Sequence, residues 1–382
     1  MTVRGAGMRV LHAVTLHSPT HAFGGPVRVA LNLSKGLRAR GHDARLLALG
    51  DGFEGPLPTD VEGVPAKLHQ ARRVLPVGFS GITSPGLLAA AGRLVREADV
   101  VHVHMARDLV TLPLALAALR SGRPLVLQTH GMVDPSDRLL AKALDALAVR
   151  RLLHGASAVL YLTDHERRGL EAVAGPPGLE RMVQLVNGVP AQEARTAPEG
   201  PPRILYAARL QTRKRPRDFV AAVPGILRVR PDAEFVVAGP DEGELVAVRA
   251  LIAELGLTEK VHCPGPLSAA EMLAELRRAQ VYVLPSVDEP FPMSVLEALS
   301  VGVPSVVTTS NGLAGNIRSS GAGRVVTEAS ELATAVLELL EPDVADAASA
   351  AARKLAAESF SMDAVLDTLL ETYTKVYAGS QA

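Results

Sequence analysis

The sequence is poor in cysteine, carries no excess of either charge and contains no long apolar run, and each shortage excludes a class of protein. Its one cysteine, Cys263, cannot form an internal disulfide, so we expect a cytoplasmic protein. The 40 basic side chains balance the 40 acidic ones, whereas nucleic-acid-binding proteins normally carry a basic excess. The longest apolar stretch, Leu109 to Leu119, is shorter than the roughly 20 residues of a membrane span. We therefore expect a soluble protein without nucleic-acid partners, although basic pairs could contact a membrane surface peripherally (Arg72 and Arg73, Arg150 and Arg151).

Chain length and the alternation of patterns predict two α/β domains. The 382 residues exceed the roughly 250–300 that a single core reaches, and short β-branched runs alternate with helical patterns. The alternation pauses at Val189 to Pro202, a polar segment flanked by proline-containing turns. We predict domains over residues 1–190 and 191–360, and a final helix over 361–382 that could pack back on the N-terminal domain. The predicted strands are Met8 to Val14, Val100 to His104, Leu125 to Thr129, Ala158 to Leu162, Arg203 to Ala208, Glu234 to Ala238, Val281 to Leu284 and Pro304 to Thr308.

The segment that starts at Leu284 carries the most chemical information. It reads LPSVDEPFPMSVLEAL, follows a predicted strand and opens a helix near Met293 or Ser294. Free amides at the start of such a helix form an anion site. A diphosphate bound there would leave one of the two carboxylates, Glu289 and Glu297, near sugar hydroxyls and the other near a ribose. A second interpretation explains Glu297 without a ligand, because Ser294 and Glu297 fit an S-x-x-E capping box.

A basic cluster follows the strand Arg203 to Ala208, at the predicted carboxyl edge of its sheet. Arg209 and Lys214 are the candidates for binding phosphate there, whereas we expect the neighbouring arginines only to be solvated (Arg213, Arg215 and Arg217).

In the N-terminal domain, glycines and histidines are the candidate site residues. Gly24 and Gly25 form a predicted loop before a helix, but their spacing is not G-x-G-x-x-G and gives no support to dinucleotide binding. His130 follows a strand and would point into a cleft, although a lone histidine is more often structural. His102 and His104 lie on a buried strand and are predicted to be structural. No close cluster of histidine and cysteine has metal-ligand spacing, so no metal is expected.

Taken together, these motifs resemble those of glycosyltransferase family 4. The spacing of Glu289 and Glu297 resembles the E-x(7)-E signature of that family, and the resemblance extends over nearly the whole chain. It implies the GT-B fold, two Rossmann-like doubly wound parallel-sheet domains facing a deep cleft. The N-terminal domain would bind the acceptor and the C-terminal domain the nucleotide sugar. The activity implied is retaining transfer of a hexose from a nucleotide diphosphate sugar, with UDP ahead of GDP, to an acceptor hydroxyl of a glycan, lipid or small metabolite. No cofactor is implied beyond this co-substrate.

The resemblance also assigns roles to single residues. Glu289 and His130 would contact the donor sugar, Glu297 the ribose, and Arg209 and Lys214 the diphosphate. The remaining residues expected to bind the donor are Gly24, Gly25, Ser286, Phe291, Pro292, Met293, Ser294, Pro266 and Leu267.

Two departures from the family pattern leave other functions open. Pro292 stands where glycine is commonest and has no amide to donate, and Gly315 stands where the family usually has an acidic residue. These departures leave a non-catalytic nucleotide-sugar-binding protein as an alternative. A sugar-nucleotide epimerase is a second alternative, because fold similarity alone does not exclude it. The acceptor itself is not specified, and Phe79 to Pro85 and Asp134 to Arg138 are the candidate acceptor loops.

Overall fold

The computed structural model describes residues 7–19, 24–76, 78–193, 195 and 200–381, with the side chain of Phe79 outside the description. These residues form two units. The first comprises the chain up to Pro19, Phe23–Gly188 and Met362–Ala382, and the second comprises Val189–Ser361. Part of the predicted linker, at 194 and 196–199, lies outside the described residues.

A parallel sheet with helices around it forms the first unit. Its strands are β1 (Arg9–His17), β2 (Asp43–Gly50), β3 (Asp60–Val61), β4 (Val64–Gln70), β5 (Arg72–Arg73), β6 (Ile82–Thr83), β7 (Val100–His104), β8 (Leu125–Gln128), β9 (Ala158–Tyr161) and β10 (Met182–Gln184). Its helices include α1 (Gly24–Ala39), α2 (Pro85–Arg96), α3 (Thr111–Arg120), α4 (Leu139–Leu144), α5 (Arg150–Gly155) and α6 (Asp164–Ala174), with a π-helical turn at Asp145–Val149.

Eight of these strands pair in the order β10-β9-β8-β7-β1-β2-β4-β3, and only the β3–β4 pair is antiparallel. The sheet is buried on both faces. Leu47 and Leu49 of β2 belong to one apolar cluster and Leu46 and Ala48 to another, because successive side chains of a strand point to opposite faces. This two-sided burial accounts for the continuous apolar runs in the sequence.

The second unit contains a six-stranded parallel sheet. Its strands are β11 (Arg203–Ala207), β12 (Glu234–Ala238), β13 (Val261–Gly265), β14 (Val281–Leu284), β15 (Ser305–Thr308) and β16 (Gly323–Val326), in the order β13-β12-β11-β14-β15-β16. Its helices are α7 (Pro216–Leu227), α8 (Leu245–Glu254), α9 (Ala269–Arg278), α10 (Met293–Ser300), α11 (Ala314–Ser320), α12 (Leu332–Leu340) and α13 (Pro342–Ser359). The chain winds outward from β11 on one side and from β14 on the other. The α/β prediction with two Rossmann-like parallel sheets is thus confirmed, and the strand order reverses between β11 and β14.

The last helix, α14 (Met362–Gln381), packs against α1 in the first unit. Leu366 and Tyr373 are buried there, and Arg40 of the first unit forms ion pairs with Asp363 and Asp367. None of the helices among the described residues combines the length and the apolar character needed to cross a membrane.

The predicted glycine loop before α1 is wrong in one respect. Gly24 and Gly25 are the first two residues of the helix instead of a loop that precedes it. Pro26 follows them in the first turn, where its fixed φ fits the helix and its missing N–H costs no hydrogen bond.

Candidate functional site

In the second unit, the loops that follow β11 and β14 contact each other. Ligands of doubly wound sheets bind at the carboxyl ends of the strands, at the point where the strand order reverses. In this sheet that point lies between β11 and β14. Arg213 Nη1 donates to the carbonyl oxygen of Asp288 at 2.8 Å, and the amide of Val287 donates to the carbonyl oxygen of Arg213 at 3.0 Å. The expectation that Arg213 is only a solvated surface residue is therefore wrong, because its guanidinium fixes one loop to the other.

A buried ion pair lies between these loops. Lys214 Nζ donates to Glu289 Oε2, and each side chain is only 10% exposed. Arg213 adds a second cation at 3.9 Å from the same carboxylate oxygen. Burial lowers the pKa of Lys214 and is partly offset by Glu289, which favours the charged ammonium. Two of the predicted site residues, distant in sequence, thus form one preorganised charged group.

The backbone that carries Glu289 is fixed by the loop after β15. Asp288 has a left-handed conformation with φ of 49°, and its amide donates to Ser310 Oγ at 3.1 Å. The amide of Gly312 donates to the carbonyl oxygen of Glu289 at 2.8 Å. A Cβ atom at Gly312 would lie 1.7 Å from the carbonyl oxygen of Pro290, so this position requires glycine. Asn311-Gly312 therefore has a structural role that does not depend on the departure at Gly315.

Helix α10 begins at Met293, and its N-cap is Pro292. The predicted capping box is wrong because Ser294 lies inside the first turn, where its side chain cannot cap the helix. Its Oγ lies 2.8 Å from the hydroxyl of Tyr282, which also donates to the carbonyl oxygen of Ala207 at 2.7 Å. Glu297 consequently lies on the second turn and is partly exposed. The first amides of the helix have no acceptor within it, so they can bind an anion, although Pro292 contributes none.

The rest of the predicted donor site is more dispersed. Arg209 forms an ion pair with Glu242 at 3.0 Å and does not contact Glu289 in this structure. Ser286 is fully buried, and its carbonyl oxygen accepts a hydrogen bond of 2.5 Å from Thr308 Oγ1. The ring of Phe291 packs edge-on against Phe360, with 5.6 Å between the ring centroids.

Two further segments flank this edge of the sheet. Pro266 is exposed and Leu267 half-buried, directly after β13 and before the capping box of α9. Arg217 is not simply solvated, because its Nε lies 2.9 Å from a carboxylate oxygen of Glu244, which also accepts from Thr212.

In the first unit, the backbone at His130 is fixed by a buried carboxylate that no sequence motif indicates. His130 and Gly131 have positive φ values of 53° and 70°, an uncommon conformation for a histidine. Glu166 Oε1 accepts from the Gly131 amide at 2.6 Å and from Thr129 Oγ1 at 2.5 Å, and Oε2 accepts from the Leu162 amide at 2.6 Å. Burial raises the pKa of Glu166. From the sequence, Thr163 and Glu166 fit an ordinary helix cap, which gives no indication of this second role.

Parallel pairing also assembles histidines that are distant in sequence. His12, His102 and His104 are buried, and one ring nitrogen from each lies within 4.8 Å of the others. A metal needs lone pairs that converge on one point. The rings of His102 and His104 instead stack with an interplanar angle of 9°, and both nitrogens of His104 already face other histidines. The geometry therefore fits a hydrogen-bonded chain better than a metal centre.

Residues of both predicted acceptor loops line a pocket in the first unit. The pocket has a volume of about 560 Å³ and includes Ser136 and Arg138, together with Ser80, Arg107 and Leu140. Arg107 is held by two hydrogen bonds to Asp145, at 2.7 and 2.9 Å.

Two family models match successive parts of the chain. The model described as Glycosyltransferase Family 4 matches residues 23–193, and the model described as Glycosyl transferases group 1 matches residues 190–355. Together they include the site residues of the second unit and, in the first unit, His102, His104, His130 and Glu166.

Two known proteins and one solved structure are similar to this chain over nearly its full length. Glycogen synthase of Mycobacterium tuberculosis is 26% identical, over 98% of this chain and 96% of that protein. Alpha-D-kanosaminyltransferase of Streptomyces kanamyceticus is 27% identical, over 97% of this chain and 96% of that protein. The crystal structure of Anabaena Alr3699/HepE in complex with UDP and glucose superposes with a TM-score of 0.75 at 18% identity, over 96% of this chain and 100% of that one. At that identity, the structural likeness shows a shared fold.

Proposed function

We propose that this chain, a GT-B glycosyltransferase by its fold and by the family models that match both of its halves, transfers a hexose with retention from a nucleoside diphosphate sugar to an acceptor hydroxyl. The observation that supports this function best is the buried Lys214–Glu289 pair beside the free amides of α10. A fixed cation, a carboxylate and the first amides of a helix at the edge of one sheet support the binding of a sugar diphosphate.

Each group has a separate role in the proposal. Lys214 and the amides of Met293 and Ser294 bind the diphosphate, and Arg209 joins them after release from Glu242. Glu289 accepts hydrogen bonds from the sugar hydroxyls, and Glu297 from the vicinal hydroxyls of the ribose. UDP is the preferred nucleotide, since the structurally similar Anabaena protein was crystallised with UDP and glucose.

The proposed reaction needs no carboxylate nucleophile. The bond between the anomeric carbon and the β-phosphate oxygen breaks, and the acceptor oxygen attacks from the same face. The departing phosphate oxygen takes the acceptor proton. Negative charge grows on the diphosphate during this step, so a fixed cation such as Lys214 stabilises the transition state more than the ground state. We propose that the reaction requires no metal.

The acceptor is proposed to bind in the first unit. The pocket that includes Ser136 and Arg138 combines hydroxyl and guanidinium donors with the apolar side chain of Leu140, which suits a polyhydroxylated molecule with an apolar part. A glycan, a lipid and a small metabolite all meet that description.

Thermal unfolding with a panel of UDP, GDP, ADP and NAD tests the donor site. A ligand at about a hundred times its dissociation constant stabilises the folded state by roughly 2.7 kcal/mol, which raises the melting temperature by several degrees. We expect UDP to stabilise the wild type and Glu297→Ala to lose most of that effect. Glu259→Ala is the matched control, because this exposed glutamate precedes β13 at the opposite edge of the same sheet and should leave the shift unchanged.

Two outcomes would contradict the proposal. If NAD alone stabilises the protein, the site binds a dinucleotide and the assignment of Glu297 is wrong. If UDP binds, but UDP-glucose releases no UDP with any acceptor and is converted to another sugar nucleotide, the chain is an epimerase.

A further inference from the structure

A diagonal row of histidines crosses the parallel sheet of the first unit. His12 of β1 pairs in register with His102 of β7, and His104 lies two residues further along β7. His104 in turn pairs in register with Gln128 of β8, and His130 lies two residues beyond Gln128. Each step therefore moves one strand across and two residues towards the carboxyl edge, which keeps these side chains on one face.

Hydrogen bonds join the row into a chain. His12 Nδ1 lies 3.1 Å from His104 Nε2, and His104 Nδ1 lies 2.8 Å from His130 Nε2. His102 does not join this chain, but its ring stacks on His104 at a centroid distance of 4.5 Å, and its Nδ1 lies 2.6 Å from the hydroxyl of Tyr373. The stacked ring of His102 thus holds the ring of His104 in the plane in which it contacts both His12 and His130.

The chain is electrically neutral at pH 7. Burial lowers the pKa of His12 and of His130 to about 3, and it lowers the pKa of His104 well below the usual value. Each ring therefore carries a single N–H. Because His104 uses both nitrogens, the direction in which it donates determines the tautomer at both ends of the chain.

Only two arrangements satisfy both hydrogen bonds. In the first, each ring carries its proton on Nδ1, so His12 donates to His104 and His104 donates to His130. In the second, each proton is on Nε2 and both hydrogen bonds run in the opposite direction. The second arrangement leaves an N–H on His12 Nε2, a buried atom that has no partner among the residues described. An unpaired buried N–H is rarer and costlier than an unpaired acceptor, so the first arrangement is favoured.

We propose that His12 and His104 are positioning residues that hold His130 as its Nδ1–H tautomer, so that His130 offers a hydrogen-bond donor to a hydroxyl oxygen of the bound substrate. The identification of that substrate as a sugar rests on the proposed function, whereas the tautomer does not. In this state His130 orients a ligand and cannot act as a general base through Nδ1. The left-handed backbone at His130, held through Glu166, presents the ring at the end of the chain.

Nitrogen NMR of the full-length protein labelled with [15N]histidine tests the proposal directly. The chemical shifts of the two ring nitrogens distinguish the Nδ1–H tautomer, the Nε2–H tautomer and the cation. The His130 signals are assigned by their loss in His130→Gln. We expect a protonated Nδ1 and an unprotonated Nε2 at pH 7. A His130 protonated on Nε2, or on both nitrogens, overturns the proposal whether or not the protein transfers a sugar.

Two substitutions then test the chain itself. His104→Asp places an acceptor opposite His130 Nε2, so it should move the His130 proton to Nε2. His12→Leu removes the buried ring whose unpaired Nε2 favours the first arrangement. The two tautomers of His130 should then approach equal populations, and the chemical shifts of its two ring nitrogens should converge. His154 serves as the internal control, because its Nε2 contacts the carbonyl oxygen of Ala174 and it lies outside the chain. A His130 spectrum unchanged by both substitutions contradicts a positioning role for His12 and His104.

Activity adds a readout that is separate from the tautomer. If transfer occurs, His104→Asp should lower kcat/KM about as much as His130→Gln does. The rise in melting temperature caused by UDP should stay within twofold of the rise in the wild type. Equal loss of UDP binding in both variants would show damage to the fold, in which case the NMR result for the wild type still decides the proposal.

Discussion

At the scale of single residues, the Lys214–Glu289 pair couples stability to the proposed chemistry. Both side chains are buried, so Lys214→Met leaves a carboxylate without its main partner. We expect a loss of about 3 kcal/mol in the free energy of unfolding, because breaking a buried pair strands the remaining charge. Transfer should fall at least about 100-fold, the usual effect of removing one group that stabilises transition-state charge. Chemical denaturation and initial rates measure the two effects.

The double variant Lys214→Met with Glu289→Gln separates these effects. Two neutral side chains of similar size avoid the stranded charge, so most of the lost stability should return while transfer stays low. Arg217→Met, which breaks the more exposed pair with Glu244, is the matched control and should cost less than about 1 kcal/mol. Recovery of activity in the double variant would show that the pair is only structural.

The sequence indicates Lys214 and Glu289 separately as candidate site residues, but it identifies neither their pairing nor Glu166 nor the histidine row. Each of the two residues follows a predicted strand, and ligands of such sheets bind at the carboxyl ends of strands. The structure adds that the strand order reverses between these two strands. The contacts of Glu166 depend on how α6 lies against the end of β8. Those of His12 depend on the register between β1 and β7, which sequence spacing does not specify.

At the scale of elements, the contact between α1 and α14 allows a prediction with an unusual sign. Glycine inside a helix is normally less stable than alanine by roughly 0.5–1 kcal/mol. At Gly36 of α1, however, an added Cβ would lie 2.2 Å from Leu366 Cδ1. We therefore expect Gly36→Ala to destabilise the protein by about 1–2 kcal/mol through overpacking.

Shortening the opposing side chain should reverse that sign. In a Leu366→Ala background the clash is absent, so Gly36→Ala should be neutral or stabilising by the usual helix propensity. Thermal or urea unfolding of the four proteins in this cycle gives the coupling energy. Additive effects of the two substitutions would show that α14 does not pack on α1 as the structure describes.

Element boundaries show where local sequence rules succeed and fail. The bounds of the predicted strands agree with the structure to within a few residues, because strands buried on both faces need continuous β-branched and apolar runs. Strands such as β2, β4, β10 and β16 are not among those predicted. The predicted start of α10 near Met293 is confirmed, but the predicted capping box is wrong, because S-x-x-E is compatible with several helix registers. Pro292 is the N-cap residue instead, and the hydroxyl of Ser294 forms a hydrogen bond with the hydroxyl of Tyr282.

At the scale of the whole molecule, the alternation of strands and helices predicts two Rossmann-like sheets, but it cannot place the last helix. An amphipathic helix at the end of a chain can cover either of two similar sheets, and its own pattern does not choose between them. In the structure the chain leaves the first unit after Gly188 and returns to it at Met362. Inside the second unit, Val189 forms a bridge with Ser361, so the points of entry and exit are adjacent.

This return makes the first unit depend on the end of the chain. Ending the protein at Ser361 removes α14 and exposes the surface that Leu366, Leu369 and Tyr373 cover. Losing three large buried side chains costs more than about 5 kcal/mol, which is comparable to the stability of a whole domain. We expect the first unit to be unfolded or readily exchanging at 25 °C. The second unit should stay folded and retain stabilisation by UDP, since the proposed diphosphate groups lie within it.

Hydrogen exchange followed by mass spectrometry, with and without UDP, measures both units in one experiment. Peptides from β1, β7 and β8 should lose protection in the shortened protein, whereas peptides from β11 and β14 should keep it. Ending the chain at Tyr377 is the matched control, because the described residues that it removes, 378–381, are exposed, and both units should stay protected. Full protection of β1 in the protein ending at Ser361 would show that α14 contributes little to the first core. Loss of the UDP effect with β11 still protected would instead place part of the nucleotide site outside the second unit.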